Sequence, residues 1–130
     1  MSDFAFIPTE EQIQNSNIQS FMNKHGISSL LELSEKAKTN LDWFWKEVDK
    51  DIGIVWDKKY EKVSDFSKGY PWAKWFVGGR TNIIKSSIEK FSNQTPDKIA
   101  YYFISEDSTK SKLSYKDLEI NVNKLANGMK

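Results

Sequence analysis

Cysteine is absent from the 130 residues. Without thiols there is no disulfide framework, no Cys-ligated zinc site, no iron–sulfur cluster and no thiol nucleophile. Histidine is nearly absent too, with His25 the single imidazole. A histidine-rich metal site or a Ser/His/Asp triad with a choice of bases is hard to build on one ring. A dominant charge sign is also lacking, since nineteen Lys and Arg against eighteen Asp and Glu leave +1. That balance selects no nucleic acid and no anionic membrane as partner. No run approaches the roughly 18 uninterrupted apolar residues of a membrane span, and mean hydropathy is −0.63. The opening Met1-Ser2-Asp3-Phe4-Ala5-Phe6 has neither the basic nor the apolar region of an export signal, so a cytoplasmic location is expected.

What is present is about one domain's worth of chain, able to bury a modest core. The first half reads as short helices. Thr9 with Gln12 forms a capping box, and Gly26 stands where a C′ glycine would close that helix. Ile18, Phe21, Met22 and His25 then share one face. Ser29 with Glu32 opens a second helix, on which Leu30, Leu33 and Ala37 line one side. Leu41, Phe44, Trp45 and Val48 mark a third helix over Leu41 to Asp49. Helices this short need a common surface to dock on.

Between Ile52 and Asn82 the periodicity fails, interrupted by Gly53, Gly69, Pro71, Gly78 and Gly79. All five tryptophans lie at positions 43, 45, 56, 72 and 75. A solvated linker would be depleted in such rings, so this stretch is expected to be an irregular strap with its aromatics as buried anchors, Trp75 among them. Asn82 then caps a helix through about Phe91, with Ile84, Ile88 and Phe91 on one face, and Thr95-Pro96-Asp97 is a turn. Lys98 to Ile104 is apolar on both alternations and predicts a strand buried on both sides. Leu113 marks a strand that pairs back as a hairpin. Ser114 caps a final helix with Leu118, Val122, Leu125, Ala126 and Met129 along one face.

Few residues suggest chemistry. Gly78-Gly79-Arg80, leading into a helix, could bring backbone N–H groups and a guanidinium to an anion. It satisfies neither Walker A nor G-x-G-x-x-G, and a tight turn is the better reading. Ser105 to Ser114 is rich in hydroxyls and lysines but has no glycine to free its backbone, and reads as a hairpin tip. Ser87-Ile88-Glu89-Lys90 has serine–lysine nucleophile spacing without the companion motifs of that class. Asp49-Lys50-Asp51 has too few alternating oxygen ligands for a calcium loop. His25 near a helix C-terminus suits the dipole there. The tryptophans could stack on a sugar or a base, although packing is favoured.

Taken in order, several segments resemble a known family. They are Leu41-Asp42-Trp43-Phe44-Trp45, Trp56-Asp57-Lys58, the run from Pro71-Trp72-Ala73-Lys74-Trp75 through Phe76-Val77-Gly78-Gly79-Arg80-Thr81-Asn82, and Pro96-Asp97-Lys98-Ile99-Ala100. Leu113-Ser114-Tyr115-Lys116-Asp117-Leu118 and Val122-Asn123-Lys124-Leu125-Ala126-Asn127 continue the series. The order W-F-x-G-G-x-x-N, D-K-x-A, S-Y-x-x-L and L-A-N is similar to the N-terminal region of AMP-forming acetyl-CoA synthetases and related short-chain acyl-CoA synthetases of the adenylate-forming superfamily. The resemblance is clear over residues 41–130 and looser over 10–40. Two departures are Asp117, where the family usually has glutamate, and the aromatic Tyr101-Tyr102-Phe103, where its strand is usually aliphatic.

The resemblance implies an α+β fold: short helices, an aromatic-rich irregular strap, a β-hairpin and a closing helix, forming the N-terminal part of the synthetase large domain. Residues 1–92 would be the helical region with its Trp-rich strap, and 93–130 the start of the AMP-binding domain. The implied parent reaction converts ATP, a carboxylate and coenzyme A into acyl-CoA, AMP and pyrophosphate, with ATP, Mg and coenzyme A as cofactors. In this family the phosphate loop, ribose contact, CoA-binding arginines and catalytic lysine all come later in the polypeptide. No catalytic, cofactor-binding or metal-binding residue is therefore assigned here, and the chain alone is expected to be inactive. The implied partner is the remainder of the synthetase, with self-association through the Lys98–Ile104 strand a further expectation. An alternative is a stand-alone interaction or regulatory module derived from this region.

Overall fold

The computed structural model describes residues 5–130, so the export-signal reading of the first four positions lies outside the described residues. Four helices come first: α1 (Glu10–Gln14), α2 (Asn17–His25), α3 (Leu30–Thr39) and α4 (Leu41–Ile52). Strands β1 (Trp56–Lys58) and β2 (Lys62–Asp65), a 3-10 turn at Tyr70–Trp72, and strands β3 (Lys74–Val77) and β4 (Arg80–Thr81) follow. A helix with a π-helical portion at Lys85–Glu89 runs on into α5 (Lys90–Gln94). Strands β5 (Ile99–Ile104) and β6 (Lys110–Ser114) and helix α6 (Tyr115–Gly128) complete the order, an α+β chain as expected. It divides into two units, one holding the residues through Ile52 and Val63–Ala73, the other Gly53–Lys62 and Lys74–Lys130.

In the first unit the capping signals act where the sequence places them. Thr9 and Gln12 exchange both bonds of a capping box. Gly26 adopts φ +63°, and Ile27 N–H closes back on Met22 C=O at 2.9 Å, ending α2. The single helix expected from Thr9 to Gly26 is instead two. Ser16 Oγ donates to Ile13 C=O at 2.7 Å and accepts from Gln19 N–H at 3.2 Å. A serine hydroxyl that takes a helical carbonyl and caps the next turn offers the backbone an alternative to continuing. The second box is half formed: Ser29 Oγ caps Glu32 N–H, while the Glu32 carboxylate reaches Ser28 N–H and Oγ.

The core of this unit is Phe21, Met22, Ile27 and Leu33, with Trp43, Phe44 and Val48 packed against it. Phe21 meets His25, Phe44 and Trp43 at ring distances of 4.5, 6.2 and 6.4 Å. Two expectations about faces do not hold. Ile18 is exposed, and Leu30 is 59% exposed although Leu33 three residues later is buried. α4 continues past Asp49 to Ile52, its first turn capped by Asn40 Oδ1, which accepts from Trp43 N–H at 3.0 Å.

In the second unit β1 and β4 pair antiparallel, Trp56 opposite Thr81 and Lys58 opposite Arg80. Trp56, Tyr60 and Phe76 form a ring cluster with centroids 5.0–5.5 Å apart. β5 and β6 form the expected hairpin, with a bulge between Ile99 and Tyr101. Ser114 caps α6 through a complete box with Asp117. Phe91 stacks on Tyr115 at 5.1 Å, and the buried Ser92 donates to Glu119 at 2.7 Å, fixing α5 to α6.

The aromatics of the 52–82 stretch are not uniformly buried anchors. Tyr70 and Trp72 are exposed, and Trp75 is 43% exposed. The strand expected to be buried on both sides is covered on neither: Tyr101, Tyr102, Phe103 and Ile104 are all exposed. Only Ile99 and Ala100, at the end nearest α6, are half-buried. A two-stranded hairpin with one helix at its base has nothing to lay over its far half.

Candidate functional site

The Gly78-Gly79 segment was the strongest candidate in the sequence, and its surroundings decide what it can do. Gly78 has φ +78°, and Gly79 N–H donates to Phe76 C=O at 3.0 Å, closing a tight turn. Glu61 N–H donates to Val77 C=O at 2.9 Å, bringing the Glu61 carboxylate alongside. A Cβ on Gly78 would sit 3.2 Å from Glu61 Oε1, and one on Gly79 would sit 2.6 Å from the Trp56 ring. The space that a phosphate would need is filled by a carboxylate and an indole. A negative group beside the turn also repels an anion at any dielectric. Arg80 is carried into β4 opposite Lys58. The glycines serve close packing.

The helix that follows places two lysines over a groove of about 300 Å³ lined by Val55, Lys85, Glu89, Lys90, Asn93 and Gln94. Both amines have partners. Lys85 pairs with Asp57, whose hydrogen bond and charge raise the lysine pKa above its usual value. Lys90 Nζ reaches Gly53 C=O at 3.3 Å. Ser87 Oγ donates to Ile83 C=O at 2.8 Å, within its own helix, so the serine–lysine spacing assembles no nucleophile. A smaller cavity of about 210 Å³ is bounded by Ser87, Ile88, Ala100, Tyr101, Tyr115 and Leu118.

Ser105 to Thr109 is the hairpin tip. Ser105 N–H donates to Thr109 C=O at 3.0 Å, Ser108 takes φ +65°, and the Asp107 carboxylate accepts Thr109 N–H at 3.0 Å. That last bond holds Asp107 below its ordinary pKa. In the Asp49-Lys50-Asp51 run, Lys50 pairs with Glu47 at 2.6 Å and Asp51 with Lys24 at 3.3 Å. Among the described residues no group of three or more His, Cys, Asp or Glu is placed to hold a metal ion.

His25 lies in the last turn of α2, as read from the sequence, but it is also a packing residue. Its ring touches Phe21 and stands edge-on to Trp43 at 5.3 Å, with Nε2 4.0 Å from Glu47. The Lys50 hydrogen bond holds Glu47 below the usual carboxylate value, with the charges of Lys50, His25 and Lys24 adding to it. The long-range pairs Asp57–Lys85 and Ser92–Glu119 are among the polar contacts that sequence reasoning missed. They join residues 28 and 27 positions apart, which no local spacing rule connects.

Residues 31–86 match the family model described as the acetyl-coenzyme A synthetase N-terminus. Over 96% of its length the chain is 34% identical to the acetyl-coenzyme A synthetase of Methanothrix soehngenii, covering 19% of that protein. Over 91% it is 32% identical to the acetyl-coenzyme A synthetase of Methanothrix thermoacetophila, covering 18% of it. In fold, 85% of the chain matches 18% of the acetoacetyl-CoA synthetase from Streptomyces lividans, with a TM-score of 0.75 at 21% identity. The chain thus spans less than a fifth of the length of each of these relatives.

Proposed function

We propose that this chain, which matches the acetyl-coenzyme A synthetase N-terminus over residues 31–86 and aligns along nearly its whole length with acetyl-coenzyme A synthetases, is the structural opening section of an AMP-forming synthetase for acetate or another short carboxylic acid. In the whole enzyme a carboxylate oxygen attacks the α-phosphorus of ATP and expels pyrophosphate. The coenzyme A thiol then attacks the acyl carbon and expels AMP. The observation that carries the proposal is the alignment of nearly the whole chain to under a fifth of acetyl-coenzyme A synthetase.

The features nearest to an anion site among the described residues are engaged within the chain, which supports placing the cofactors of that reaction elsewhere in the synthetase. The Gly78-Gly79 turn is occupied by Glu61 and Trp56, and the groove lysines Lys85 and Lys90 are engaged within the chain. ATP, Mg and coenzyme A are therefore assigned to the remainder of the synthetase, which is the partner this section serves. Among the described residues no helix is long and apolar enough to cross a membrane, and an ATP-consuming ligase of this kind suits the cytoplasm. The uncovered half of β5 gives a second reading some support, that of an interaction module acting apart from catalysis.

The test is acetate-dependent exchange of pyrophosphate into ATP. The chain alone should show none. Joined to the acetyl-coenzyme A synthetase of Methanothrix soehngenii from which the corresponding section has been removed, it should restore exchange. Exchange by the chain alone, or a chimaera no more active than the shortened enzyme, would overturn the proposal.

A further inference from the structure

We infer that the helix over residues 83–94 is a two-register element. It is wound wide at Lys85–Glu89 because two docking faces demand it, and it rewinds as a plain α-helix when either face lets go. The inference goes beyond the catalytic reading above and holds whatever reaction the chain serves. Residues 83–84 and α5 are α-helical on either side of the π-helical turn. Across the turn Lys90 N–H donates to Lys85 C=O, five residues back rather than four. Such turns are rare and occur mostly as single bulges within α-helices. Residues 83–94 contain neither proline nor glycine, so the cause lies in what the helix touches.

The upstream face asks for residues five apart. Lys85 pairs with Asp57, and Lys90 Nζ donates to Gly53 C=O at 3.3 Å. Between them Ser86 Oγ accepts Val55 N–H at 2.9 Å. Positions 53, 55 and 57 are thus gripped in order by 90, 86 and 85. At about 100° per residue, an α-helix would turn Lys85 and Lys90 about 140° apart. Closure at five residues brings them into line over one segment. The downstream face is set by Phe91, stacked on Tyr115 at 5.1 Å, and by the buried Ser92, which donates to Glu119 at 2.7 Å.

The apolar pattern asks for the other winding. Ile84, Ile88 and Phe91 follow at four and three residues, the spacing of one α-helical face, and in the wide form all three are only half-buried. Space for rewinding lies on both sides of the turn. A groove of about 300 Å³ lies against Lys85 and Glu89, and a cavity of about 210 Å³ against Ser87 and Ile88. Taking the extra residue out of the turn rotates one end of the helix against the other by about 100°. With Phe91 and Ser92 held on α6, that rotation carries Lys85 off Asp57. With positions 53–57 held, it carries Ser92 off Glu119. A movement of the 53–57 segment is therefore passed to α6 as a discrete change of register, the way bistable packed elements transmit small displacements.

Scalar couplings across hydrogen bonds, measured by NMR on the full chain, read the winding directly. In the wild type the amide of residue 90 should couple to the carbonyl of residue 85. The double variant Lys85→Met, Lys90→Met strips the upstream face of its charged grips. There the same amide should couple to the carbonyl of residue 86, with the Phe91–Tyr115 contact retained. A second variant deletes Ser87, which is exposed and whose hydroxyl bonds within its own helix. The deletion leaves the two lysines four residues apart, close to the α-helical repeat. Both faces then stay engaged on a regular helix, so the urea midpoint should remain at or above that of the wild type. Where a helix carries no such mismatch, a deletion throws one face off by about 100° and lowers the midpoint. A residue 86 acceptor in the wild type would overturn the inference. So would any acceptor other than residue 86, or none, in the lysine variant, and so would a Ser87 deletion that lowers the midpoint or prevents folding.

Discussion

Replacing Phe21 with alanine removes the residue on which the helical unit is organised. Phe21 is 7% exposed and touches the rings of His25, Trp43 and Phe44, which come from α2 and α4. Truncating a buried phenylalanine costs about 3–5 kcal/mol, through lost transfer energy and the cavity left behind. Single domains have about 5–15 kcal/mol of total stability, and only four other apolar side chains in the described residues are buried as deeply. The variant should therefore lie near the edge of folding. With an m-value of about 2 kcal/mol/M in urea, the midpoint should fall by about 2 M. Leu30→Ala is the internal control, because Leu30 is exposed and surface truncations change stability by about 0.5 kcal/mol or less. Urea titration followed by far-UV circular dichroism reads both variants. Equal midpoints for Phe21→Ala and Leu30→Ala would refute the assignment of the core to this face of α2.

Gly79→Ala should strain the turn, since the new methyl would meet the Trp56 ring at 2.6 Å and Phe76 C=O at 3.0 Å. A loss of about 1–3 kcal/mol is expected, together with a shifted Trp56 indole N–H resonance; an unmoved resonance would contradict the packing. Ser114→Ala should cost about 1 kcal/mol through the lost N-cap of α6. It should also let the Asp117 pKa rise toward the ordinary 3.8, because the Ser114 hydroxyl is the main group holding it down; a carboxyl titration by NMR checks this. Glu47 has a folded-state pKa below the ordinary 4.5, first through its Lys50 hydrogen bond. A depressed carboxylate pKa contributes stability above the unfolded value that is lost as pH falls through the folded one. Stability should therefore decline below about pH 4.5 more steeply in the wild type than in Glu47→Gln, and parallel acid profiles would exclude the contribution.

Local signals survived the passage from sequence to structure because they act over three or four residues. The Thr9–Gln12 box, the Ser114 cap, the Gly26 stop and the β5–β6 hairpin all form where the spacing places them. The Ser16 break in the first helix was also local, but its signal is a lone serine in an otherwise periodic run, and periodicity outweighed it. The family resemblance was legible for a similar reason. Motif order along residues 41–130 is a property of the chain itself, and the match over 31–86 lies largely within it.

Burial is a different kind of quantity, since it depends on which distant segment arrives. The apolar character of Tyr101 to Ile104 is in the sequence, yet whether those side chains are covered depends on a neighbour that the hairpin and α6 do not supply. Trp75 is the same case on a smaller scale. At the candidate site, Gly78-Gly79 was compatible with either a cradle or a turn until Glu61 and Trp56 were seen against it, residues separated from it by 17 and 23 positions. The sequence by itself determined the helix starts at Thr9, Ser29 and Ser114, the hairpin, the family pattern and the scarcity of groups able to do chemistry. Tertiary structure alone decided which apolar faces are covered and that the glycine turn is closed to anions, because both depend on contacts between residues far apart in the chain.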